Sequence, residues 1–315
     1  MYVGIVRLCE WCISRPGLFL PGGCLYQSLM FERKQVMNQC KIKLVADSSI
    51  NLLTYEGIDF ASVPMRVVAG DNEYVDDAAL DLPAMLKGLK EHKGKSSTAC
   101  PSVGDWLNAF GDADVVLGVT ITSNLSGCYN ASQVAARQYM KKHPDAKVFI
   151  LDSLSTGPEM HLIIEKYIEL IGQGLSFEEI VEAIQRYSKK THLMFSLSSL
   201  SNFAKNGRIS PAVAAAVGLL NIRIVGKASD EGTLEPMHKC RGEKKALAQL
   251  LSCMEAVGFK GGKVHLCHTY NLEMAERFAE MLRQKYADIK LTIRQNLGLC
   301  SYYAEEGALL VGFEG

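Results

Sequence analysis

The stretch from Val115 to Arg137 constrains the fold of this chain more than any other. Val115-Val116-Leu117-Gly118-Val119 is an unbroken apolar run of strand length, Thr120 to Gly127 is a turn crowded with hydroxyls, and Ala131-Ser132-Gln133-Val134-Ala135-Ala136-Arg137 reads as helix. A strand without polar alternation is buried on both faces, and the helix that follows it is the natural cover. The alternation recurs, with strands expected over 41–46, 62–68, 114–119 and 147–151 and helices over 81–92, 102–110 and 128–142. Short apolar strands separated by helices predict βαβ units and a mostly parallel sheet.

Further along, the spacing predicts helices over 159–171 and 177–189, a strand over 191–197, and a turn with a helix cap over 200–210. An Ala-rich helix over 211–219 and a strand over 222–228 come next, then a hairpin turn at Asp230-Glu231-Gly232 into a strand over 233–240. Helix 243–257, strand 263–268, helix 271–286 and strand 289–294 complete the pattern. Hairpins and crossovers together predict a mixed sheet covered by helices. The change of pattern puts a domain boundary near residue 155, giving α/β domains over 37–155 and 156–315.

In open α/β sheets, ligands bind beyond the carboxyl ends of the strands. Asp47-Ser48-Ser49, Thr122-Ser123 and Asp152-Ser153 all follow predicted strands, so three hydroxyl-bearing turns are expected at one edge. A second hydroxyl run, Ser97-Thr98-Ala99-Cys100-Pro101-Ser102, precedes a helix. Hydroxyls beside unpaired helix N–H groups suit a carboxylate or phosphate. Plain helix capping is the alternative, because Ser and Thr are common N-caps.

With 34 basic and 34 acidic residues among 315, the net charge is zero. That balance argues against a nucleic-acid footprint and against electrostatic membrane docking. The longest nearly apolar run, Pro211 to Ile222, is too short to span a bilayer. From Cys100 onward the cysteines stand singly in apolar or small-residue segments, as reduced thiols of a cytoplasmic protein would. Cys9-x-x-Cys12 is followed by Cys24 and Cys40, a spacing too wide for the second pair of a zinc ribbon.

Residues 1–36 carry no sustained period, and Glu10 and Arg15 interrupt the only signal-peptide candidate. The regular pattern starts just past Met37. The expectation is a natural start at Met37 preceded by a non-native or disordered leader; a partner-binding extension is the alternative.

Several chemistries find no support. No glycine-rich phosphate loop follows the first strand, and no Gly-x-Ser-x-Gly elbow is present. His265 and His268 face opposite sides of a predicted strand and make poor co-ligands. Asp76-Asp77 reads as a solvated acidic pair in a loop. Arg241 sits at a strand end before Gly242, either as a surface turn residue or as a contact for a phosphorylated ligand or partner protein.

Together these segments resemble the DegV family, bacterial fatty-acid-binding proteins that present acyl chains to a fatty acid kinase. The resemblance covers 41–315. It is carried by Val45-Ala46-Asp47-Ser48-Ser49, Ser97 to Ser102, Ile121 to Ser132, Leu151-Asp152-Ser153, Leu200 to Ser210 with Asn206-Gly207-Arg208-Ile209-Ser210, and Cys240-Arg241-Gly242. It implies two α/β domains, a three-layer parallel sheet and a two-layer mixed sheet, with a lipid tunnel between them. By matching position, Thr98 and either Ser123 or Ser126 would hold the acyl carboxylate within the Ser123-Asn124-Leu125-Ser126-Gly127 turn, and Arg241 would contact the kinase. At the C-terminal end the family carries Gly-Thr-His-x-Gly-Pro-Gly. Here Tyr303 stands where the histidine is expected and Glu305-Glu306 replace Gly-Pro. A Tyr hydroxyl still donates to a carboxylate, but it is neutral and reaches further. Two acids near a carboxylate repel it unless they point away.

The resulting expectation is a non-enzymatic, cytoplasmic carrier of a long-chain fatty acid that needs no cofactor or metal and serves a kinase partner. A phosphotransferase on the related kinase fold and a lipid sensor without kinase coupling are the alternatives.

Overall fold

The computed structural model describes residues 40–210 and 221–315. The leader, the start at Met37 and the Ala-rich helix over 211–219 lie outside those residues.

β1 (Ile42–Asp47), β2 (Phe60–Val63), β6 (Val115–Thr120) and β7 (Lys147–Asp152) form a parallel sheet in the order β2-β1-β6-β7. Every residue of β6 is buried, as its uninterrupted apolar run requires. Helices α2 (Val103–Phe110) and α3 (Cys128–Lys142) cover one face, where Trp106, Phe110 and Tyr139 fill the core. The other face is covered by α4 (Pro158–Gly172) and α5 (Phe177–Tyr187). The expected three-layer arrangement is present, and α4 and α5, which follow residue 155 in sequence, supply its third layer.

The predicted strand over 62–68 is two strands in two sheets. Pro64 has no N–H to give to a ladder, and the chain turns there from β2 into β3 (Arg66–Ala69). β3 pairs antiparallel with β4 (Asn72–Val75) and β5 (Ser96–Ala99) in a small sheet beside α1 (Leu82–Glu91).

The remaining strands form a six-stranded mixed sheet. β8 (Thr191–Leu197), β9 (Ile222–Ala228), β10 (Leu234–Arg241), β11 (Gly262–His268), β12 (Ile289–Gln295) and β13 (Leu309–Glu314) run in the order β10-β9-β8-β13-β11-β12, with only β11 and β12 parallel. Helices α7 (Glu243–Ala256) and α8 (Leu272–Lys285) cover one face through a core that includes Leu250, Phe278 and Val311. The second face looks toward the first half of the molecule. Two further short helices among the described residues are α6 (Ser201–Lys205) and α9 (Gly298–Ala304). The sequence pattern carried no element for α9 or β13.

Gly312 joins the halves. A Cβ there would lie 2.4 Å from the Pro158 carbonyl carbon and 2.5 Å from the Glu159 nitrogen, so only glycine lets α4 cross β13 in backbone contact.

Candidate functional site

Asp76 organises the site. Instead of being solvated, it is 1 % exposed, whereas Asp77 is on the surface. Its carboxylate accepts from Gly298 N at 2.6 Å and Leu299 N at 3.0 Å, the unpaired N–H groups of the first turn of α9. Ser48 Oγ donates to it at 2.8 Å. Asn51 Oδ1 accepts from Leu297 N at 2.8 Å. A seven-residue helix has little stability alone. This one hangs from two turns of the first half.

α9 carries Tyr302 and Tyr303 to β5. Side chains two apart on a strand share a face, and Ser96 and Thr98 use that face to meet both tyrosines. Ser96 Oγ lies 2.7 Å from Tyr302 OH, and Thr98 Oγ1 lies 2.8 Å from Tyr303 OH. Asn206 Nδ2 donates to Tyr302 OH at 2.8 Å. Burial raises the Tyr303 phenol above its usual value, against the opposing pull of Thr98 and Arg208, which keeps it a neutral hydroxyl at physiological pH.

The turn after β6 supplies the opposite wall. Asp47 accepts Ile121 N at 2.7 Å, and Asp152 accepts Ser123 N at 3.1 Å. Burial raises Asp47 to about 6. The turns of Asp47 and Asp152 are thus next to the 121–127 turn as expected, but these two carboxylates brace its backbone. Ser126 Oγ accepts Cys128 N at 3.3 Å and donates to Cys128 Sγ at 3.2 Å. Arg208 reaches this turn, donating through Nε to Leu125 O at 3.2 Å and through a terminal nitrogen to Asn206 O at 2.5 Å.

Between these walls lies a cavity of about 320 Å³. Thr98, Ser126, Gly127, Arg208 and Tyr303 line it with a mostly apolar remainder that includes Leu193, Phe195, Leu197 and Leu310, and with the further polar residues Thr122, Ser155, Thr156, Lys227 and Thr233. On β8 the odd-numbered side chains Leu193, Phe195 and Leu197 pack as one core toward this side, while Met194 belongs to the core under α7. A mostly apolar cavity with a few converging polar groups is the usual form of a small-molecule site.

The two glutamates point away from it. Glu305 Oε1 accepts from Ser199 Oγ at 2.7 Å, Ser201 Oγ at 2.9 Å and Asn202 N at 3.3 Å, at the N-terminus of α6. Glu306 pairs with Lys90 at 2.5 Å. Neither lines the cavity.

The DegV family profile matches residues 41–314. The chain belongs to the DegV family. A DegV domain-containing protein of Streptococcus pneumoniae is 43 % identical over 276 residues, covering 86 % of this chain and 98 % of its own length. Among solved structures, a DegV family protein from Eubacterium eligens loaded with heptadecanoic acid matches with a TM-score of 0.85 and 44 % identity, covering 87 % of this chain and 99 % of its own. The Streptococcus pneumoniae fatty acid kinase B3 protein loaded with linoleic acid matches with a TM-score of 0.85 and 42 % identity, over 87 % and 99 % of the two chains.

Of the residues expected to form the site in this DegV chain, Thr98, Ser126, Gly127 and Tyr303 come together at the cavity. Ser123 and Asn124 do not line it. Ser123 is engaged through its N–H with Asp152, and Asn124 Nδ2 donates to Glu231 O at 2.5 Å at the β9–β10 turn. Ser102 is a helix cap, forming a reciprocal box with Asp105 at the start of α2. Arg241 is exposed at the end of β10, followed within four residues by exposed Lys244 and Lys245. The sequence marks Arg208 only as part of the Asn206-Gly207-Arg208-Ile209-Ser210 motif and gives it no role. A lone Arg in a polar turn gives no sign that its side chain returns to a cavity. Among the described residues no helix is long and apolar enough to cross a membrane, and no group of three or more His, Cys, Asp or Glu side chains has metal-holding geometry.

Proposed function

We propose that this protein binds one long-chain fatty acid in the cavity and presents its carboxylate to a fatty acid kinase, acting as a carrier without catalytic residues of its own. The observation that carries the reading is the cavity itself, apolar over most of its wall and polar where Arg208, Thr98, Ser126 and Tyr303 converge. A carboxylate beside a guanidinium and hydroxyl donors forms charge-assisted hydrogen bonds, about twice as strong as neutral ones. Tyr303 takes the donor role expected of the family histidine, as a neutral O–H bonded to Thr98. Because Glu305 and Glu306 are turned elsewhere, no acid opposes the anion at that end. The fatty-acid-loaded relatives support this choice of ligand.

Arg241, with Lys239, Lys244 and Lys245 exposed around it, suits docking to an acidic partner surface. The cytoplasm is the compartment in which the free thiols of Cys100, Cys128, Cys267 and Cys300 persist.

The test is lipid extraction and native mass spectrometry of purified protein, where one fatty acid per chain is expected. Arg208→Met keeps the length of the side chain and removes its charge. It is expected to weaken fatty-acid retention about 10- to 100-fold, the share of a hydrogen bond to a charged group. Ser126→Ala weakens retention less, and Ser123→Ala leaves it unchanged. A protein that purifies empty and stays empty when offered fatty acids removes the reading; wild-type retention by Arg208→Met removes Arg208 from the head-group site.

A further inference from the structure

Two cavities lie back to back beside β8. The second, of about 560 Å³, lies among residues 151–154, the start of α4 and residues 185–192 and 228–230. Asp152, Glu159, Lys189, His192 and Asp230 make its wall polar. It shares two lining residues with the apolar cavity, Leu193 and Ala228. Leu193 is 5 % exposed and Ala228 is half-buried, so both side chains stand between the two cavities.

The partition lies along β8 from the segment that carries Arg208, with Lys227, which also lines the apolar cavity, next to Ala228 in the chain. Leu197, at the other end of β8, leads into the segment that carries Arg208. Leu193 is four residues back, about 13 Å at the usual strand rise. Ala228 ends β9 and pairs with Leu234, which also lines the apolar cavity.

We propose that Leu193 and Ala228 form the end wall that sets the length of acyl chain this protein accepts, with a polar chamber directly behind it. The proposal rests on the fatty-acid reading given above. Each methylene buried ahead of the wall raises affinity about fourfold. A methylene forced past it enters a chamber whose carboxylates and hydroxyls lose water and gain no hydrogen bond in return. The gain per carbon therefore stops at the wall. A terminal hydroxyl on the chain reverses that logic, since it can hydrogen-bond in the chamber once the wall is cut back.

The experiment uses delipidated full-length protein and saturated fatty acids of 12 to 24 carbons, with their ω-hydroxy counterparts, read by native mass spectrometry. Wild type is expected to show a sharp upper limit of chain length. Leu193→Ala raises that limit by about two carbons, and ω-hydroxy acids overrunning the wild-type limit bind it at least tenfold more tightly than they bind wild type. Ala228→Leu lowers the limit by a similar amount and keeps the test open if Leu193→Ala does not fold. An unchanged limit in a folded variant overturns the wall; a longer limit with no gain for ω-hydroxy acids overturns the chamber behind it. Wild type that binds no fatty acid at all fails before any variant is compared, and overturns the underlying reading.

Discussion

Asp76→Ala is expected to lower folding stability by about 3–5 kcal/mol, the largest effect of any single substitution argued from this site. The carboxylate is buried and accepts three hydrogen bonds, from Ser48 Oγ, Gly298 N and Leu299 N. Alanine leaves all three donors without a partner in a place water reaches poorly, and each such group costs about 1–3 kcal/mol. Asp76→Asn rescues only in part, because its amide keeps one accepting oxygen but turns its NH2 toward a donor. The loss centres on α9, so Tyr303 no longer meets Thr98 and fatty-acid retention falls along with stability. Thermal melts followed by circular dichroism are expected to show a midpoint about 5–8 °C lower. A melt within 2–3 °C of wild type would mean that α9 is held by packing and not by its cap.

Glu159→Gln is expected to remove a large part of the loss of stability on going from mildly acidic to neutral pH. Glu159 is 5 % exposed at the start of α4, accepts Thr191 Oγ1 at 2.7 Å, and burial raises its pKa from 4.5 to about 7. The folded chain therefore holds a proton that the unfolded chain releases near pH 4.5. Stability from this group is complete below pH 4.5, declines as pH rises, and is gone above about 7. Glutamine keeps an acceptor for Thr191 and cannot ionise, so the variant exceeds wild type by about 3 kcal/mol at pH 8 relative to pH 4. Urea melts at the two pH values measure this. Asp47, also raised by burial to about 6, adds a like-signed slope in both proteins and cancels in the comparison. Equal pH slopes for variant and wild type would place Glu159 in an environment wetter than its burial indicates.

Much of this molecule was legible in its sequence for local reasons. The apolar run at 115–119, the helix-forming stretch after it and the turn at Asp230-Glu231-Gly232 declare themselves through side-chain patterning over a few residues. The short helix α9 does not. Gly298 to Ala304 takes its cap from Asp76, more than two hundred positions earlier, whereas the strand after it, Leu309 to Glu314, is an apolar run of the same kind as 115–119. The same distance effect hid Asp76, which looks like any acid in a loop until its three donors are assembled around it. It hid Arg208 as well, whose position depends on carbonyls at Leu125 and Asn206.

The sequence by itself determined the α/β class, the two sheet types, the family and the hydroxyl turns that meet at the cavity, because these rest on periodicity, turn chemistry and ordered short motifs. Only the tertiary structure decided which hydroxyls meet. Ser123 and Asn124 turn to Asp152 and the β9–β10 hairpin, while Thr98 and Tyr303, 205 positions apart, share a hydrogen bond. Only the tertiary structure could send Glu305 to α6 and put Leu193 between an apolar cavity and a polar one. The physical reason is the same each time: a side chain's partner is set by how sheets and helices pack, and packing joins residues that no local pattern relates.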